Sequence, residues 1–157
     1  MIYNILRVKK YLIIALGFMM ATAAKAQMPT PVSWTYTATK TSDKTYEIRI
    51  TATMQSGWHL YSQTQPSDAI IIPTKITFNK NPLLKLDGNI REEGKLEKFR
   101  DEKVDISANQ YSSKVEFVQV VKMKAAAKTN VSGTVRFQTC NDEKCLPAKT
   151  VTFSIAL

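Results

Sequence analysis

From Trp34 onward, apolar and polar side chains alternate with a period of two over most of the chain. Trp34, Tyr36 and Ala38 are separated by threonines, and Tyr46, Ile48, Ile50, Ala52 and Met54 alternate with Glu47, Arg49, Thr51 and Thr53. Successive side chains of a β-strand point to opposite faces, so this pattern gives each strand one buried and one solvated face. The apolar positions favour valine, isoleucine and aromatic residues, which suit a pleated, half-buried surface. The first two segments predict antiparallel strands joined at residues 41–44. The pattern recurs at Ile76 and Phe78, at Val115 and Phe117, at Val131, Val135 and Phe137, and at Val151, Phe153 and Ile155. Turn-forming residues lie between these runs, at Ser56-Gly57, residues 79–82, Asp87-Gly88-Asn89 and Thr129-Asn130. No stretch holds a 3.6-residue period. Roughly seven or eight short strands with turn signals between them predict an all-β, immunoglobulin-like antiparallel β-sandwich. Residues 90–110 are charged and poorly periodic and read as a long surface loop, the kind of segment that often serves as a lid or binding element.

The N-terminus departs from this pattern. Arg7, Lys9 and Lys10 precede an apolar run over residues 11–20, and small residues follow, ending Ala24-Lys25-Ala26. This is the layout of a secretory signal peptide over residues 1–26, with cleavage after Ala26. The apolar run is shorter than the ~20 residues of a membrane-spanning helix, and no later stretch approaches that length. Residues 27–157 then form one exported domain, large enough to bury its own core. No cysteine stands at the new N-terminus to accept a lipid. The chain carries 22 Lys and Arg against 13 acids, but four of the cations belong to the leader. The remainder therefore holds 18 against 13, a net +5. Its lysines are scattered, which fits a solvated surface and excludes a nucleic-acid footprint.

Export gives the two cysteines, Cys140 and Cys145, a specific meaning, since an even count in an oxidising compartment points to a disulfide. Phe137-Gln138-Thr139-Cys140 closes a strand and residues 141–144 have turn chemistry. A four-residue hairpin loop sets its flanking residues opposite one another, at ~4.5–5.5 Å between Cα atoms, within reach of a disulfide. That register does not continue cleanly. With Cys140 opposite Cys145, Val135 would face Thr150 and Val151 would face Thr134, sending the apolar residues to opposite faces. One residue must be absorbed, and Pro147 cannot donate a ladder hydrogen bond, so a bulge is expected near Leu146-Pro147. A cysteine beside a bulge at a sheet end is accessible. Two readings of the pair stand: a structural staple, or a working disulfide. Closing a loop of about six residues contributes only ~2 kcal/mol, and exposure favours redox lability. A structural zinc site needs four ligands, and beyond the two cysteines there is only His59, so neither a bound metal nor a cofactor is expected. A protease-type cysteine would need a histidine partner, and His59 in Gly57-Trp58-His59-Leu60-Tyr61 reads as an ordinary strand residue.

The run Phe137-Gln138-Thr139-Cys140-Asn141-Asp142-Glu143-Lys144-Cys145-Leu146-Pro147 resembles the cysteine motif of the N-terminal periplasmic domain of DsbD, the thiol:disulfide interchange family. Trp58-His59-Leu60-Tyr61-Ser62-Gln63 is similar to that domain's aromatic strand, and Phe99-Arg100-Asp101-Glu102 falls where its cap loop begins. The likeness spans residues 27–157, the cysteine motif being its specific part. It implies an immunoglobulin-like domain that relays electrons from a membrane electron carrier to exported thioredoxin-like or disulfide isomerase proteins in the periplasm. It also implies that Cys145 is the attacking thiol and Cys140 the resolving one. A cap loop over residues 99–104 would shield the pair, with Phe99, Asp101, Glu102, Lys103, Tyr61 and Trp58 lining the site. Lys103 stands where that loop usually has an aromatic, and Ala148 where a second proline often follows. The sequence shows no nicotinamide fingerprint and no second cysteine pair, so reducing equivalents are expected from a carrier in trans. No helix N-terminus is predicted near Cys145, and Lys144 is offset by Asp142 and Glu143, so a thiol of ordinary acidity is expected. The rival expectation is a non-enzymatic exported β-sandwich adaptor whose disulfide is structural.

Overall fold

The computed structural model describes residues 30–102 and 105–157. The signal peptide expected over residues 1–26 and the residue Lys103 lie outside the described residues. Eleven strands follow in order among the described residues: β1 (Val32–Ser42), β2 (Thr45–Met54), β3 (His59–Tyr61), β4 (Lys75–Phe78), β5 (Leu84–Gly94), β6 (Glu97–Asp101), β7 (Ile106–Tyr111), β8 (Lys114–Met123), β9 (Asn130–Phe137), β10 (Thr139–Cys140) and β11 (Lys149–Ala156). They form three antiparallel sheets with strand orders β1-β2-β8-β5, β10-β3-β7-β6 and β11-β9-β4. The chain is an all-β, immunoglobulin-like sandwich, as the alternation implied.

The core lies between the inward faces of these sheets. Ile48, Ile50, Ala52 and Met54 of β2 and Val115, Phe117 and Val121 of β8 pack against Leu60, Tyr111, Val131, Val135, Phe137 and Phe153. The first hairpin turns at Asp43-Lys44, where Lys44 takes a positive φ of 60°. In the centre of the third sheet the alternation contains a glycine for a steric reason. A Cβ on Gly133 would come within 2.2 Å of the Thr77 carbonyl oxygen and 2.7 Å of the Phe153 ring, which itself stacks on Tyr36 and meets Phe78 edge-on.

The surface loop expected over residues 90–110 is not a loop. It is the second half of β5, all of β6, and most of β7, a meander that joins the first sheet to the second. Its charge comes from two sources that periodicity does not separate from a loop. Arg91 and Glu93 join Arg49, Glu47 and Glu116 in an ion-pair lattice on the outer face of the first sheet, and β6 is an edge strand whose residues are largely exposed. A bulge between Asp87 and Arg91 further breaks the period. Gly88 holds φ +71° there, and the buried Gln119 amide donates to the Asp87 and Gly88 carbonyls. The strand total also exceeds the seven or eight expected, because β3, β4 and β10 have only three, four and two residues.

Candidate functional site

The site forms where one strand changes sheets. Val135 pairs with Val151 in the third sheet, so the apolar residues of β9 and β11 share a face. Beyond Gln138 the chain leaves β11 and pairs with β3 in the second sheet, Thr139 opposite Leu60 and Cys140 opposite His59. Cys140 also bridges Cys145, and the Leu146 amide donates to the Thr139 carbonyl. Between that bond and the Phe137–Lys149 pair, Pro147 and Ala148 oppose Gln138 alone. This is the extra residue that the register required, adjacent to the expected position. Gln138 anchors the switch: its amide donates to the Leu146 carbonyl at 3.1 Å, and its Oε1 accepts from the Ile72 amide at 3.2 Å.

Cys140 and Cys145 are joined as a disulfide with Cα atoms 4.0 Å apart. The turn between them is shaped by Asn141, whose side-chain oxygen accepts the Glu143 and Lys144 amides and whose own amide donates to the Lys144 carbonyl. The two sulfurs meet different surroundings. Cys140 is 1% exposed and packs with Tyr61, Ala108 and Ile71, whereas Cys145 is exposed. A cleft of about 180 Å³ opens over them, lined by His59, Tyr61, Phe99, Gln110, Cys140, Asn141, Asp142 and Cys145.

Residues i and i+2 of a strand share a face, so His59 and Tyr61 of β3 both turn to the cysteines. The Tyr61 hydroxyl sits 4.0 Å from the Cys145 Sγ and 3.4 Å from the His59 Nε2, and the two rings meet edge to face. Burial raises the Tyr61 phenol above its usual value. Burial also lowers the His59 imidazole, against smaller opposing effects of Asp142 and Glu97. The Thr74 hydroxyl donates to the Tyr61 carbonyl at 2.5 Å. The end of β3 is tied down by Glu92, whose carboxylate accepts from the Ser62 hydroxyl at 2.6 Å, the Gln63 amide at 2.7 Å and the Tyr111 hydroxyl at 2.8 Å. Burial, with Glu92 adding to it, raises the Tyr111 phenol well above its ordinary range, so it remains a donor.

Of the residues expected at the site, the structure brings Cys140, Cys145, Tyr61 and Phe99 together. Phe99 comes from the edge strand β6, opposite Ala108 of β7, and is 48% exposed. Trp58, Asp101 and Glu102 are not part of the cleft's lining: Trp58 precedes β3, Asp101 ends β6 and Glu102 follows it. Sequence reasoning missed His59, Gln110, Asn141 and Asp142 as lining residues. The period-2 spacing of His59 and Tyr61 was the available signal, since any strand that presents Tyr61 to the cysteines presents His59 too.

Comparison with known proteins shows the family and the fold. The family model described as thiol:disulfide interchange protein DsbD, N-terminal, matches residues 24–157. Among solved structures, the N-terminal periplasmic domain of ScsB from Proteus mirabilis superposes with a TM-score of 0.56 at 17% identity over 83% of this chain. This chain spans about half of that one, 48% of its length. The DsbD N-terminal domain of Neisseria meningitidis in the reduced form gives a TM-score of 0.51 at 14% identity, covering 87% of this chain and 94% of that one. At these identities the likeness is one of fold. A search of curated proteins finds no match.

Proposed function

This chain belongs to the family of the N-terminal domain of the thiol:disulfide interchange protein DsbD, and from that membership we propose that it is a periplasmic carrier of reducing equivalents working through the Cys140–Cys145 pair. The observation that supports the reading is the asymmetry of the disulfide: Cys145 is an exposed residue at the cleft, whereas Cys140 is buried in the sheet. In this reading the exposed Cys145 meets the partner's sulfur and the buried Cys140 finishes the exchange.

In the reduced domain the Cys145 thiolate attacks one sulfur of a partner disulfide in line, forming a mixed disulfide and releasing the partner's second sulfur as a thiolate. The Cys140 thiolate then attacks the Cys145 Sγ and expels the partner's first sulfur. The products are the Cys140–Cys145 disulfide and a partner dithiol, so two electrons and two protons have moved. A membrane electron carrier in trans returns the pair to its reduced form. The partners are exported thioredoxin-like or disulfide isomerase proteins, whose cysteines must reach over Phe99 to the cleft. Phe99, Asp101, Glu102 and Lys103 belong to the segment that controls this access.

Trapping tests the reading. Cys140→Ser leaves Cys145 free but removes the resolving thiol, so mixed disulfides with exported thioredoxin-like proteins should accumulate in cells and disappear on reduction. Cys145→Ser should trap nothing. Recovery of no mixed disulfide, together with a reduction potential below roughly −300 mV, would instead identify an inert staple in a β-sandwich adaptor.

A further inference from the structure

A thiol must lose its proton before it attacks, and among the described residues that line the cleft there is no lysine or arginine to stabilise the thiolate. The cleft instead offers a chain of three groups: the Cys145 Sγ, the Tyr61 hydroxyl at 4.0 Å and the His59 Nε2 a further 3.4 Å away. We propose that His59 takes up the Cys145 proton through the Tyr61 hydroxyl, so that the attacking thiolate forms paired with an imidazolium inside the cleft. The inference rests on the exchange reading above and assigns His59 a place in it. His59 touches no reacting atom and acts as a positioning residue for the proton, with Tyr61 as the link.

The geometry is built in by the sheet. Cys140 pairs with His59 across β10 and β3, which fixes the imidazole beside the cysteine turn, and the i, i+2 relation puts Tyr61 on the same face. Tyrosine has one hydroxyl that both donates and accepts, so it can hand a proton on without changing its own charge. Its raised phenol keeps it protonated at neutral pH. The imidazole is held neutral there by burial and is thus a free acceptor. The groups facing it are Tyr61 on its own strand, Asp142 and Cys145 on the cysteine turn, Glu97 on β6 and the neutral Gln110 on β7. Asp142 and Glu97 stabilise the imidazolium once it forms.

The proton balance closes. Cys145 passes its proton to Tyr61 as Tyr61 passes its own to the His59 Nε2, leaving thiolate, phenol and imidazolium. When the partner's sulfur leaves as a thiolate, the imidazolium returns one proton along the same route, and His59 is neutral again. Cys140 supplies the second proton of the exchange.

The test uses the Cys140→Ser protein, in which Cys145 is the single free thiol, and follows its alkylation by iodoacetamide from pH 5 to 10. Adding either His59→Gln or Tyr61→Phe should slow the reaction near pH 7 by about tenfold, equivalent to a one-unit rise in the thiol's titration. The two changes together should slow it no further, because each breaks the same chain. Tyr61→Phe keeps the ring and its packing, so it separates the hydroxyl from any disturbance of β3. His59 is the only histidine in the sequence, so its ring proton resonances are unambiguous. They should show an inflection at the Cys145 titration in the reduced protein and none in Cys145→Ser. Profiles that superimpose on the parent, additive losses, or a histidine blind to the thiol would each overturn the proposal. Since alkylation requires no partner, a coupled histidine with an empty trapping experiment would disprove the exchange reading alone.

Discussion

At the scale of single residues, Cys140 and Cys145 share a bond but not an environment. Cys140 lies under Tyr61 and against Ala108, while Cys145 stands on a turn at the sheet end. The pairing, the turn and the need for a slip beyond it were readable from the motif and from the clash of faces that a clean register would produce. His59 was legible only through its i, i+2 relation to Tyr61, because a lone histidine on an alternating strand is otherwise indistinguishable from any half-buried strand residue. Its burial has a consequence for stability. The imidazole is lowered in the folded protein, whereas in an unfolded chain it titrates near 6.5. The unfolded state therefore binds more protons as pH falls through this range, and the stability present above about pH 6.5 is lost as pH drops toward the folded value. Urea unfolding of the oxidised protein at pH 7.5 and pH 5 should show this loss, and His59→Gln should reduce the difference between the two midpoints. An identical difference in both proteins would show that His59 does not contribute.

At the scale of elements, the site depends on β3, a strand of only three residues that cannot hold itself in place. Glu92 supplies the hold. It reaches from β5 to the Ser62 hydroxyl, the Gln63 amide and the Tyr111 hydroxyl, and Ser62 and Tyr111 are both buried. Glu92→Ala leaves these donors without their acceptor and should cost about 3 kcal/mol, given 1–3 kcal/mol for each buried group left unsatisfied. Denaturant unfolding checks the loss, and a change under about 0.5 kcal/mol, the scale of an ordinary surface substitution, would show that β3 is held by other means. This is also the region where sequence reasoning failed. Residues 90–110 looked like a loop because Arg91 and Glu93 serve an ion-pair lattice and β6 has one neighbour only. Alternation identifies strands that have a wet face and a dry one, and these have neither in simple form. Phe99 lines the cleft from an edge strand and not from a loop.

For the molecule as a whole, the disulfide is a small part of what keeps the chain folded. The core between the sheets is continuous from β2 to β11 without it, and closing so short a loop contributes about 2 kcal/mol. Reduction should therefore leave the sandwich intact and lower its stability by about that amount. Urea curves with and without reductant, read by near-ultraviolet circular dichroism, test this. Unfolding on reduction would mean that the pair is a staple the domain cannot do without. The bulge at Pro147-Ala148 carries an implication for how such chains can vary. The spacing from Cys145 to Lys149 fixes which side of β11 meets the core, so deleting one residue there would turn Phe153 outward and Thr152 and Ser154 inward. A one-residue change in length just after Cys145 should therefore destabilise the domain by misplacing Phe153, so the position of the cysteine turn and the register of the final strand are coupled.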